Sequence, residues 1–222
     1  MAIADQLERW RIELAYLEQD MSAIHMHKAL WRTTVDAIAE KVDASTPRVW
    51  PNHYTMLYVA TQAMAVRRLM RSSKDPISWS RLLAEVDKAG PDITIDTLSA
   101  AARNRGVSEV IIGLESRWIS ENWFDADGAF RSDLPRADRD ELFRVSVSVL
   151  SMADNQIAHL NPQKGSDVRP TFDDLDQAIS LLSDITYRYR RLIRGVDLDP
   201  TNIRMESGWT NVFAKPLFKS AW

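Results

Sequence analysis

The chain has 222 residues, a net charge of −3 and no cysteine. That length can bury a sizeable core without staples, and the missing cysteine excludes a disulfide scaffold and any thiolate metal site. A negative net charge gives no long-range attraction for nucleic acid, so phosphate binding would need a local cluster.

Prolines divide the sequence, and the stretches between them carry helical periodicity. Residues 5–42 form one long helical region in which Leu7, Trp10, Ile12, Leu14, Leu17, Met21 and Ile24 recur at spacings of two to four, with a break or bend expected near Ser22. Pro47 and Pro51 mark a loop. The next helix is predicted over 53–72, with Met56, Val59, Ala60, Ala63, Met64, Val66, Leu69 and Met70 inside. Pro76 ends it. A short helix over 77–89 closes at Gly90-Pro91. Thr94 or Asp96 caps another through Arg103, and 107–124 follows. Residues 125–134 are expected to be a loop. The stretch 138–158 is the most apolar. Val145-Ser146-Val147-Ser148-Val149 alternates as a strand would, but about 20 residues without a turn signal exceed an average strand, so helix is expected.

Residues 160–170 form a second loop. Thr171 caps the last helix, and Asp173 and Asp174 suit its positive end. Leu175, Ala178, Leu182, Ile185, Tyr189, Leu192 and Ile193 line one face of it, and Gly195 stops it. The tail keeps Trp209, Phe213, Leu217, Phe218 and Trp222, apolar enough to dock on the bundle. No run approaches the ~18 apolar residues of a membrane span. The first eleven residues lack the apolar region of a signal peptide. The expectation is one cytoplasmic, all-α domain over 1–222 without membrane contact.

Chemistry has few places to sit. The histidines are His25, His27, His53 and His159, with no metal-ligand spacing among them. No dinucleotide glycine motif, phosphate-loop lysine or nucleophile elbow occurs, so neither metal nor cofactor is expected. At 100° per residue, Arg144, Ser148, Ser151, Asn155 and His159 fall within roughly 80° on the 138–158 helix. This stripe either faces solvent or a neighbouring helix, or poises His159 for acid–base work. Arg190, Arg191 and Arg194 lie within roughly 100°, opposite the apolar face of the last helix. They form either a solvated face favoured by the helix dipole or a phosphate-binding patch. Arg67, Arg68 and Arg71 form a weaker cluster with the same two readings.

The segment Asp154-Asn155-Gln156-Ile157-Ala158-His159 resembles the signature of the HEPN superfamily (higher eukaryotes and prokaryotes nucleotide-binding): arginine, a polar residue, and a short gap ending in Ala-His at the end of a long helix. Pro170-Thr171-Phe172-Asp173-Asp174-Leu175, leading to Tyr189-Arg190-Arg191-Leu192, is similar as well. Ala65-Val66-Arg67-Arg68-Leu69, then Ile77-Ser78-Trp79-Ser80-Arg81-Leu82-Leu83, and the Trp209/Phe213 tail before Pro216 look like the abortive-infection branch. The resemblance implies a HEPN-like bundle over 51–222, preceded by extra helices over 1–50. It also implies homodimerisation through the motif helices and a setting in phage defence or a toxin–antitoxin pair. In the family, histidine handles protons and arginine stabilises phosphate in a metal-independent ribonuclease. Here that arginine position holds Asp154, which loses a charge-assisted contact and adds repulsion. Arg144 cannot replace it, lying about 22 Å along the helix from His159. A supply in trans from Arg190 or Arg194 would be needed. Two classes therefore compete. One is a ribonuclease with His159 as acid–base group oriented by Asn155. The other, favoured by Asp154 and the acidic balance, is a non-catalytic module for dimerisation and for binding RNA, a nucleotide or a partner protein.

Overall fold

The structure is a computed structural model, described over residues 2–39, 49–70, 77–158 and 170–195. Among these residues every regular element is helical, and seven α-helices make an all-α bundle. They are α1 (Ile3–Ala39), α2 (Val49–Met70), α3 (Trp79–Ala89), α4 (Ile95–Asn104), α5 (Glu109–Trp123), α6 (Asp133–Met152) and α7 (Phe172–Arg194). A 3-10 turn, Gly90–Asp92, follows α3, and a π-helical segment, Ala153–Ala158, continues α6.

Local chemistry sets most boundaries. No glycine or proline interrupts α1, and it runs through Ser22 without a break. Two helices begin earlier than the expected 53 and 138: α2 starts at Val49 with Pro51 as its third residue, and α6 at Asp133 with Pro135 third. Proline is tolerated in a first turn, where its missing N–H has no intrahelical partner. Side-chain oxygens of Ser78, Thr94, Ser108 and Thr171 cap the N-termini of α3, α4, α5 and α7. Thr171 and Asp174 form a reciprocal capping box. Gly195, at φ 62°, closes α7 in the left-handed conformation that glycine adopts without cost. The Val145–Val149 alternation lies inside α6. Its Ser146 is buried while Val147 is exposed, because burial there follows helical periodicity.

Side-chain pairs show how the helices run. Asp20 meets Arg68, the Ile24 carbonyl meets Gln62, and Trp31 meets Tyr58, so α1 and α2 are antiparallel. Glu18 meets Arg194, His25 meets Ser183, and Lys28 meets Asp176, so α7 lies antiparallel along α1 as well. The core joins α1, α2, α3, α5, α6 and α7 around Trp10, Trp79, Trp123 and Tyr189. Tyr189 packs edge-to-face against Trp79 at 5.8 Å and Trp123 at 4.9 Å between centroids, an arrangement favoured by the ring quadrupoles. All seven residues assigned to the apolar face of α7 are buried. Ile12 and Met56, counted in the apolar patterns of α1 and α2, face outward instead. No helix among the described residues is long and apolar enough to cross a membrane. The aromatic tail lies outside the described residues.

Candidate functional site

The motif sits where α6 changes winding. From Ala153 to Ala158 the backbone is π-helical, with i→i+5 bonding that puts more residues into each turn. A projection at 100° per residue therefore no longer describes the turn from Ala153 onward. Such segments recur at functional positions because they re-aim side chains. Ala153 is buried, while Asp154 points outward with half of its side chain exposed. Asn155 is half-buried and donates from Nδ2 to Ser151 Oγ at 3.2 Å. His159 lies outside the described residues. At the far end of the stripe, the exposed Arg144 is occupied by Glu141 one turn earlier, its Nε 2.8 Å from Oε2.

Asp154 has a cation after all. Arg67 of α2 donates from Nε to Asp154 Oδ1, joining two sequence clusters that were 87 residues apart. Its neighbour Arg68 turns the other way, to Asp20 of α1 at 2.5 Å. Both arginines line a groove of ≈ 430 Å³ between α1 and α2, whose walls also carry Asp20, His27, Thr61 and Met64. The motif thus adjoins a groove of mixed polar and apolar lining that the sequence did not signal, since its two walls come from separate helices.

The arginines of α7 are placed differently from both sequence readings. Arg190 Nε and Arg194 Nη1 lie 3.3 and 2.7 Å from the two oxygens of Glu18 on α1, and these three side chains are only 11%, 22% and 12% exposed. Burial pushes the Glu18 carboxyl above its ordinary value, against the opposing pull of Arg194 and Arg190. Arg191 donates from Nε to Glu115 of α5 at 3.0 Å and stacks over Trp118 at 3.7 Å. These residues are therefore neither a solvated face nor an open phosphate patch. They are internal counter-ions that fasten α7 to α1 and α5. A helix wheel records their angular separation but not the acidic residues that two packed helices bring to meet them.

The other histidines divide between roles. His25 Nε2 lies 2.8 Å from Ser183 Oγ in the α1–α7 contact, His27 faces the groove, and His53 is exposed near the start of α2. A second internal pair escaped sequence reading: Arg188 donates to Asp138 Oδ1 at 2.8 Å. Burial raises the Asp138 carboxyl, and the adjacent Tyr189 hydroxyl, itself buried beside Asp138, is raised well above its ordinary value. No group of three or more acidic or histidine side chains suited to a metal occurs among the described residues. No family model, curated protein or solved structure matches the chain.

Proposed function

We propose that the chain is a HEPN-like helical module that binds RNA or a nucleotide, pairs as a homodimer, and cleaves RNA weakly or not at all. The Asp154–Arg67 pair carries this reading. Phosphodiester cleavage builds negative charge on the phosphate and needs a cation aimed at it. At this motif the residue in the cation's position is a carboxylate, and the nearest guanidinium is already neutralising it. The arginines of α7, the alternative source in trans, are taken by Glu18 and Glu115. Loss of one such contact typically costs about 10²–10³ in rate. Support for pairing comes from the motif helix itself, where Phe143 and Val147 are exposed at 44% and 65%. Apolar side chains one turn apart on an outer face favour contact with a second apolar surface.

The test is an RNA-cleavage assay with EDTA present, run alongside RNA binding, on wild type, Asp154→Arg, His159→Ala and the double variant. The wild type is expected to bind RNA with little or no cleavage. Asp154→Arg is expected to gain cleavage that the further His159→Ala change abolishes. Efficient wild-type cleavage that His159→Ala removes would establish a ribonuclease instead. A monomer by light scattering at tens of micromolar would remove the homodimer.

A further inference from the structure

We propose that the groove between α1 and α2 is an anion site that takes a phosphate group through Arg67 and Arg68, with Asp154 and Asp20 as exchangeable counter-ions that hold the two guanidiniums in its absence. This rests on the reading of the chain as an RNA- or nucleotide-binding module and names the surface that does the binding.

Adjacent residues on a helix point about 100° apart, yet here both arginine side chains reach one concavity. Arg67 extends toward the π-helical segment and Arg68 toward α1, and both line the groove from its α2 wall. A phosphate between them could accept from both. Arg67 engages Asp154 through Nε, and its Nη groups carry no bond among the described residues. A guanidinium offers five donors in a fork suited to phosphate oxygens, so a second acceptor can be added before the first is given up. The Arg68 side chain is 60% exposed and its Asp20 partner 29%. An ion pair of that exposure costs little to break. A phosphate, with more charge and more acceptor oxygens than one carboxylate, can displace Asp20 at that cost.

His27 and Thr61 on the walls supply further polar groups, and Met64 an apolar surface for a ring. The size, ≈ 430 Å³, falls within the ~300–1,000 Å³ of small-molecule sites. By contrast, Arg190, Arg191 and Arg194 could reach a phosphate only by leaving mostly buried partners. The groove arginines give up less, which is why the anion belongs here.

Inorganic pyrophosphate is the probe, titrated calorimetrically at low salt into wild type, Arg67→Gln/Arg68→Gln, Asp154→Asn and, as a control, Arg144→Gln. Circular dichroism checks that each variant is folded. Wild type should take one pyrophosphate per chain. The double arginine variant should bind at least about tenfold more weakly. Asp154→Asn, which frees Arg67, should bind up to about fivefold more tightly, and Arg144→Gln should match wild type. If the double variant fails to fold, the sign of the Asp154→Asn effect decides. No binding by wild type, equal binding by the arginine variant, or weaker binding by Asp154→Asn would each overturn the site. A parallel titration with a short single-stranded RNA separates the two readings. RNA bound and displaced by pyrophosphate supports both. RNA bound but indifferent to pyrophosphate and to the groove variants overturns the groove as the RNA surface and leaves the module an RNA binder. Pyrophosphate bound without RNA keeps the groove as a nucleotide or phosphate site and removes RNA as the ligand.

Discussion

Replacing Arg194 with methionine tests whether the arginines of α7 are structural counter-ions. Methionine keeps an unbranched stem for packing and removes the charge. Arg194 holds Glu18 at 2.7 Å, and the two side chains are 22% and 12% exposed. Breaking a fully buried pair costs about 3–5 kcal/mol, and an exposed one contributes about 0–1. Arg190 remains 3.3 Å from the other oxygen and still neutralises part of the charge. The expected loss is therefore about 2 kcal/mol, which for a chain of this size lowers the unfolding midpoint by roughly 4–8 °C.

The pH dependence has a definite sign. Burial already raises the Glu18 carboxyl above 4.5, and Arg194 is the largest opposing influence. Without Arg194 the folded-state value rises further. A group raised in the folded state contributes stability that is full below its unfolded value and is lost as pH rises through the folded one. The deficit of Arg194→Met should then be largest near neutrality and shrink as pH falls toward 4.5. Thermal and urea unfolding followed by circular dichroism at neutral and mildly acidic pH measures both effects. A midpoint unchanged within a degree at neutral pH would mean that Arg194 is solvated after all. A deficit that grows on acidification would refute the electrostatic argument.

Two further outcomes follow from local geometry. Thr171→Ala removes the hydroxyl half of the reciprocal cap of α7 and should cost about 1 kcal/mol. Asp174 is held below its ordinary value of 3.8 by the Thr171 backbone N–H and hydroxyl, so its contribution is present above 3.8 and lost as pH falls through the folded value. The variant keeps the backbone N–H that donates to Asp174 and loses only the hydroxyl, so its acid limb should flatten only in part, and a midpoint equal to wild type at neutral pH would count against the hydroxyl cap. Gly90→Ala places a methyl group 2.0 Å from Ser132 Oγ and 3.1 Å from the Phe130 ring. The crowding should cost about 1–3 kcal/mol, and a midpoint equal to wild type would show that the 124–132 connection yields freely.

The sequence by itself determined the fold class and most of the helix inventory. Periodic apolar residues on α7, the caps at Thr94 and Thr171 and the stop at Gly195 are local signals, and each reports its own segment without help from the rest of the chain. The same locality explains the boundary error at Pro51, where proline marks a first turn as readily as a loop. The Asp154–His159 run could be singled out in the sequence because its residues are consecutive. What surrounds it was decided only by tertiary structure. Arg67 reaches Asp154 across 87 positions, and Glu18 claims Arg190 and Arg194 from the far end of the chain. Charges on separate helices carry no register with one another until packing brings them within a few ångströms. A row of arginines on one helix therefore looks the same in sequence whether it faces water, a phosphate or a buried glutamate, and the apolar contacts that dock α1 against α2 and α7 are what choose among them.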